Sequence, residues 1–84
     1  QEPRIDIHED EKGDLARLQH RAATESDTKQ RDRYRCVFLA LEGHTGAQIR
    51  AAVGRSRGFT QPWCYRYRDG GIKALKPGMS TRQP

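Results

Sequence analysis

Thiols are scarce in this chain: two cysteines, Cys36 and Cys64, stand far apart with no CxxC pairing. Neither a disulfide framework nor a zinc site is expected, and a reduced, cytosolic setting fits. Apolar residues are scarce too. Only 33% of the composition is hydrophobic and 7% aromatic, and no stretch approaches the roughly twenty apolar residues of a membrane span. The opening Gln1-Glu2-Pro3-Arg4 has no apolar signal segment, and without an initiating Met the chain reads as a piece cut from something longer. His8, His20 and His44 keep no regular spacing with the cysteines, so they read as surface histidines and no metal is expected. The acidic run Glu9-Asp10-Glu11 lies where little would hold its geometry, and no catalysis is assigned to it. Cofactor, small-molecule substrate and membrane are thereby set aside, and 84 residues allow a single core.

Charge, by contrast, is abundant and unevenly placed. Residues 1–28 hold four basic and eight acidic side chains, whereas residues 29–84 hold twelve basic and three acidic. The second part calls for a polyanion.

Residues 1–13 carry only Ile5 and Ile7 as large apolar side chains and read as an irregular leader. Asp14 can cap a short helix over 15–23, in which Leu15, Leu18 and Ala22 share a face. Asp27 with Gln30 resembles a capping box and opens a helix over 28–42. There Tyr34, Val37, Phe38 and Leu41 repeat at helical spacing, while Lys29, Arg31, Arg33 and Arg35 crowd the first half. Gly43 closes it. Thr45-Gly46-Ala47-Gln48 fits the S/T-x-x-E/Q box of a short helix that turns Ile49, Ala52 and Val53 inward and stops at Gly54.

Ser56 can open a third long helix, bearing Phe59, Trp63 and Tyr67 as anchors and ending at Gly70-Gly71. Pro62 leaves two readings of it: a helix from Arg57 that loses one backbone bond, or a later start capped by Thr60 or Gln61. Ile72 and Leu75 can fold back on the core. Cys36 and Cys64 read as semi-buried thiols.

These parts assemble into an all-α, tri-helical helix-turn-helix with a short additional N-terminal helix and flexible ends. The leader occupies 1–13, the domain 14–75 and a basic exit linker 76–84. The expected partner is double-stranded DNA. Arg57, Gln61 and Tyr65 face away from the anchors and are the base-reading candidates. Arg31, Arg35, Arg55, Ser56, Arg66 and Arg68 are backbone candidates, together with the N–H groups at Thr45 and Gly46, which open the short helix.

The wording Leu41-Glu42-Gly43-His44-Thr45-Gly46-Ala47-Gln48-Ile49, followed by Val53-Gly54-Arg55-Ser56-Arg57-Gly58-Phe59 and the run from Trp63 to Leu75, resembles the N-terminal helix-turn-helix of mariner-like bacterial insertion-sequence transposases. The similarity runs over residues 14–84 and is most specific from Ser56 to Leu75. It differs at Thr60 and Pro62. The resemblance implies a homeodomain-like module that recognises terminal inverted repeats, with a separate nuclease-like domain doing the cutting in the parent protein. It also implies a minor-groove arm, for which Lys76 and Arg82 are available, a cytoplasmic, nucleoid-associated location, and homodimer formation through regions outside this chain. A free-standing transcription regulator and a helical protein-interaction domain with an acidic partner are the alternative readings. None of them assigns enzymatic chemistry to these residues.

Overall fold

The computed structural model describes residue 5 and residues 7–75. Four helices follow in order: α1 (Asp14–Thr24), α2 (Thr28–Leu41), α3 (Gly46–Val53) and α4 (Arg57–Gly70), with a 3₁₀ turn at Ile72–Leu75. Helix α2 is the hub, packing against every other element, while α1 lies chiefly along α2 and α3 and α4 close the far side. The all-α, tri-helical helix-turn-helix is thus α2–α3–α4, and α1 is the additional helix.

Capping chemistry fixes the boundaries. The Asp27 carboxylate accepts from the Gln30 backbone N–H at 2.8 Å, but the reciprocal half of the expected box is absent. The Gln30 amide is instead buried and donates to the Leu75 carbonyl, closing the 3₁₀ turn onto the start of α2. At α3 the box is complete: Thr45 Oγ1 accepts from the Gln48 N–H, and Gln48 Oε1 accepts from the Thr45 N–H. Gly54 ends α3 with φ 76 and its N–H on the Arg50 carbonyl, a left-handed conformation that a side chain would oppose. Gly54, Arg55 and Ser56 are the three residues that separate the two helices of the turn.

Helix α4 starts at Arg57 and runs through Pro62 without a break, so the early start is the one adopted. Pro62 deprives the Gly58 carbonyl of its helix partner, but both residues are exposed and water can serve that carbonyl.

The core joins Leu18, Tyr34, Val37, Ala40, Ile49, Val53, Cys64, Tyr67 and Leu75, with Ile7 from the leader. Three expectations about facing change. Ala52 is exposed and Leu15 only half-buried, because the short α3 and α1 each touch the core along a narrow stripe. On α4 the innermost line is Thr60, Cys64 and Tyr67 at i, i+4, i+7, and Trp63 and Phe59 flank it half-buried. Of the three aromatic anchors expected on that helix, Tyr67 alone is fully covered. Both thiols are fully buried, with the Cys64 thiol directed at the Cys36 carbonyl. Burial pushes both up to about 12, with Cys64 and then Asp32 adding to the effect at Cys36.

The leader has no regular structure over 7–9, yet Ile7 is only 6% exposed. Asp14, read from sequence as a helix cap, is instead the first residue of α1, with Gly13 at the cap position, and its carboxylate is buried. Asp14 Oδ2 accepts from the Tyr67 hydroxyl at 2.6 Å and from the Glu11 N–H at 3.1 Å, and Oδ1 accepts from Arg17 at 2.8 Å. The Asp10 N–H donates in turn to the Tyr67 oxygen at 2.7 Å. Gly71 completes the joint: its φ is 74, and a Cβ there would stand 2.8 Å from an Asp10 carboxylate oxygen. Burial opposes ionisation of Asp14, but the Tyr67, Glu11 and Arg17 hydrogen bonds outweigh it and hold the carboxyl below its usual range. For Tyr67, burial and then the bond to Asp14 push the phenol upward.

Candidate nucleic-acid interface

With Thr60, Cys64 and Tyr67 turned inward, 3.6 residues per turn places the other side chains of α4 on a crest and two flanks. The crest holds Gly58, Pro62 and Asp69, all exposed. Gly58 and Pro62 carry no long side chain to hold the helix off a surface. Asp69 pairs with Arg68 at 3.0 Å and puts an acid at the C-terminal end of the crest, so the first half of α4 is the half suited to a polyanion.

One flank carries Arg57, Gln61 and Tyr65 in a hydrogen-bonded strip. Arg57 Nε donates to Gln61 Oε1 at 2.7 Å, and Gln61 Nε2 donates to the Tyr65 hydroxyl oxygen at 2.9 Å. The Arg68 guanidinium stacks on the Tyr65 ring, 4.8 Å from its centre. Every bond in the strip runs in the same direction, so each donor polarises the next and the Tyr65 O–H is left to seek an acceptor. The amide of Gln61 is thereby oriented, with one N–H and one lone pair remaining. Arg57 keeps its terminal guanidinium nitrogens. These are the donor and acceptor sets that read adenine and guanine edges, respectively. The structure therefore brings together all three base-reading candidates.

The backbone candidates are dispersed, and one carboxylate accounts for much of that. Asp32, whose side chain is 6% exposed, accepts from Arg55 Nε at 2.7 Å and has Arg35 and Arg31 at 3.7 and 3.8 Å. Arg35 also donates to the Ala52 carbonyl at 2.9 Å, and Arg55 stacks on Phe59. Three side chains read from sequence as phosphate contacts thus converge on Asp32, and the Arg55–Asp32 and Arg35–Ala52 bonds tie the α3–α4 turn and the end of α3 to α2. Asp32 escaped the sequence reading, although it is the only acid in the basic first half of α2 and stands three residues before Arg35. Thr45 and Gly46 lie at the start of α3 as expected, but Gly46 is buried and the Thr45 N–H is already donated to Gln48 Oε1 in the capping box. Ser56 is exposed at the start of α4, making no side-chain cap bond. Arg66 is exposed and stacks on Trp63. Lys76 and Arg82 lie outside the described residues.

Among the described residues no group of three or more His, Cys, Asp or Glu side chains is placed to hold a metal ion. No described helix is long and apolar enough to cross a membrane.

A three-residue connection between a capped short helix and a longer helix whose outer surface is basic and polar defines a DNA-binding domain of the helix-turn-helix class. A family model described as a helix-turn-helix domain matches residues 32–84, and the chain belongs to that family. No curated protein and no solved structure matches the chain. The leader and α1 fall outside the matched residues.

Proposed function

We propose that this domain binds duplex DNA in a sequence-specific manner, with the first half of α4 in the major groove and Arg57 and Gln61 toward base edges. The observation that carries the reading is the Arg57–Gln61–Tyr65 strip, which holds purine-matching side chains in one orientation on an exposed helix flank. Tyr65 serves it chiefly by fixing the Gln61 amide. Selection from random duplexes tests this. Arg57→Ala and Gln61→Ala are each expected to cost about 1–3 kcal/mol at the preferred site and to flatten preference at one or two positions. Tyr65→Phe removes the hydroxyl but keeps the ring, and should blunt the preference read by Gln61 with little loss of total affinity. Unchanged preferences in all three variants would sink the assignment.

The finer role, recognition of terminal inverted repeats as the N-terminal module of a transposase, is supported by the resemblance over Ser56–Leu75. Under it, the selected sequence recurs as an inverted pair flanking the reading frame that encodes the chain. A single copy upstream of the frame points instead to a transcription regulator.

A further inference from the structure

The second flank of α4 carries a feature that the base-reading strip does not use. Trp63 is half-buried there, and two guanidinium groups stack on its ring: Arg33 from α2, 4.3 Å from the centre, and Arg66 from α4 itself, 5.0 Å away. These two distances to one ring keep the guanidinium carbons within about 9 Å of each other. Like charges so close repel, and proteins ordinarily place a carboxylate among them. Arg17, Arg31, Arg35, Arg55 and Arg68 all have carboxylate partners, but among the described residues no carboxylate lies within ion-pairing distance of Arg33 or Arg66. Arg33 is further held by a bond from Nη1 to Gln30 Oε1 at 2.6 Å, and Gln30 is itself fastened to the Leu75 carbonyl. One cation is therefore fixed by the core and the other by an aromatic ring.

We propose that Arg33 and Arg66, spaced by Trp63, form a clamp for a single phosphodiester group. The inference rests on the reading of α4 as the groove-binding helix. A guanidinium fork holds its carbon roughly 4 Å from the phosphorus, so two forks share one phosphate when their carbons stand within about 8 Å of each other, a separation that two groups on one ring can reach. A helix seated in the major groove meets phosphates on both walls. The clamp faces one wall from the flank opposite Arg57 and Gln61. Trp63 is then a positioning residue: it carries no charge but fixes both cations before the phosphate arrives, so less side-chain entropy is lost on binding. Arg33, which the sequence reading left without a role, becomes a backbone contact.

The test is binding of a random-sequence duplex, followed across roughly 50–200 mM salt. Arg21→Ala on α1 serves as the control for loss of one charge. The Arg33→Ala/Arg66→Ala double variant should bind about tenfold more weakly than that control and lower the log–log salt slope by about one, the value for one phosphate. Trp63→Leu keeps both charges and should weaken binding severalfold with the slope unchanged, while Trp63→Phe, which retains a ring, recovers most of the affinity. Circular dichroism of each variant confirms folding, and the Arg66→Ala single variant, at an exposed position, reads the clamp without touching the core. If the parent binds and the arginine variants weaken it no more than Arg21→Ala does, the clamp is wrong and the DNA reading stands. If the parent binds no duplex, both fall.

Discussion

Asp14 and Asp32 are buried to nearly the same degree, 3% and 4% exposed, yet they hold their halves of the molecule in different ways. Asp14 joins the leader and α1 to the end of α4, and both of its oxygens accept hydrogen bonds, from Tyr67, Glu11 and Arg17. Asp32 joins α2 to the helix-turn-helix turn. Its Oδ2 is bonded to Arg55, but its Oδ1 has no hydrogen bond among the described residues and only distant guanidinium groups about it. The first joint is short-ranged and inward, suited to permanence. The second depends on arginines about a third exposed, whose charges salt screens and DNA phosphates can draw upon. The contrast separates a structural attachment from one that lies beside the proposed DNA-binding helix.

The largest effect is expected where the first joint meets the core. Tyr67→Ala removes the largest fully buried side chain and should cost about 3–5 kcal/mol, close to the whole stability of so small a domain. Urea denaturation measures it. A parent-like midpoint would mean that the leader joint and the core behind it contribute little.

Next comes Asp14 itself. Its carboxyl ionises below the ordinary range in the folded chain, so its contribution is complete above the unfolded pKa of about 4 and is lost as pH falls through the lower folded value. Asp14→Asn should cost about 1–3 kcal/mol at neutral pH and flatten the loss of melting temperature in acid. An acid limb as steep as the parent's would place that sensitivity on other carboxylates.

The smallest effect belongs to Asp32. Asp32→Asn should cost about 1 kcal/mol, because its partners remain partly solvated. It should also strengthen nonspecific duplex binding by freeing Arg31, Arg35 and Arg55, and the gain should shrink as salt rises. Weaker binding at every salt concentration would instead make Asp32 a scaffold on which the turn depends.

The two regions also differ in how far the sequence disclosed them. Helical periodicity, the Thr45–Gln48 box and the glycines after α2 and α3 act over four residues or fewer, and they alone determined the order and approximate bounds of the helices, the helix-turn-helix class and the strip Arg57, Gln61, Tyr65. The charge imbalance between the chain's two parts is likewise read directly from composition. Pro62 could not be resolved in that way, since its cost depends on whether the Gly58 carbonyl is buried or wet. Only the tertiary structure decided that both are exposed and that α4 continues. It also decided that Ile7 and Asp14 reach the core, that Gln30 serves Leu75, and that Arg55 serves Asp32. It gave the innermost line of α4 to Thr60, Cys64 and Tyr67, leaving Trp63 at the rim between two arginines. Each of these joins residues far apart in the chain, and a buried polar group takes whichever partner the fold brings within reach, a choice that local spacing does not encode.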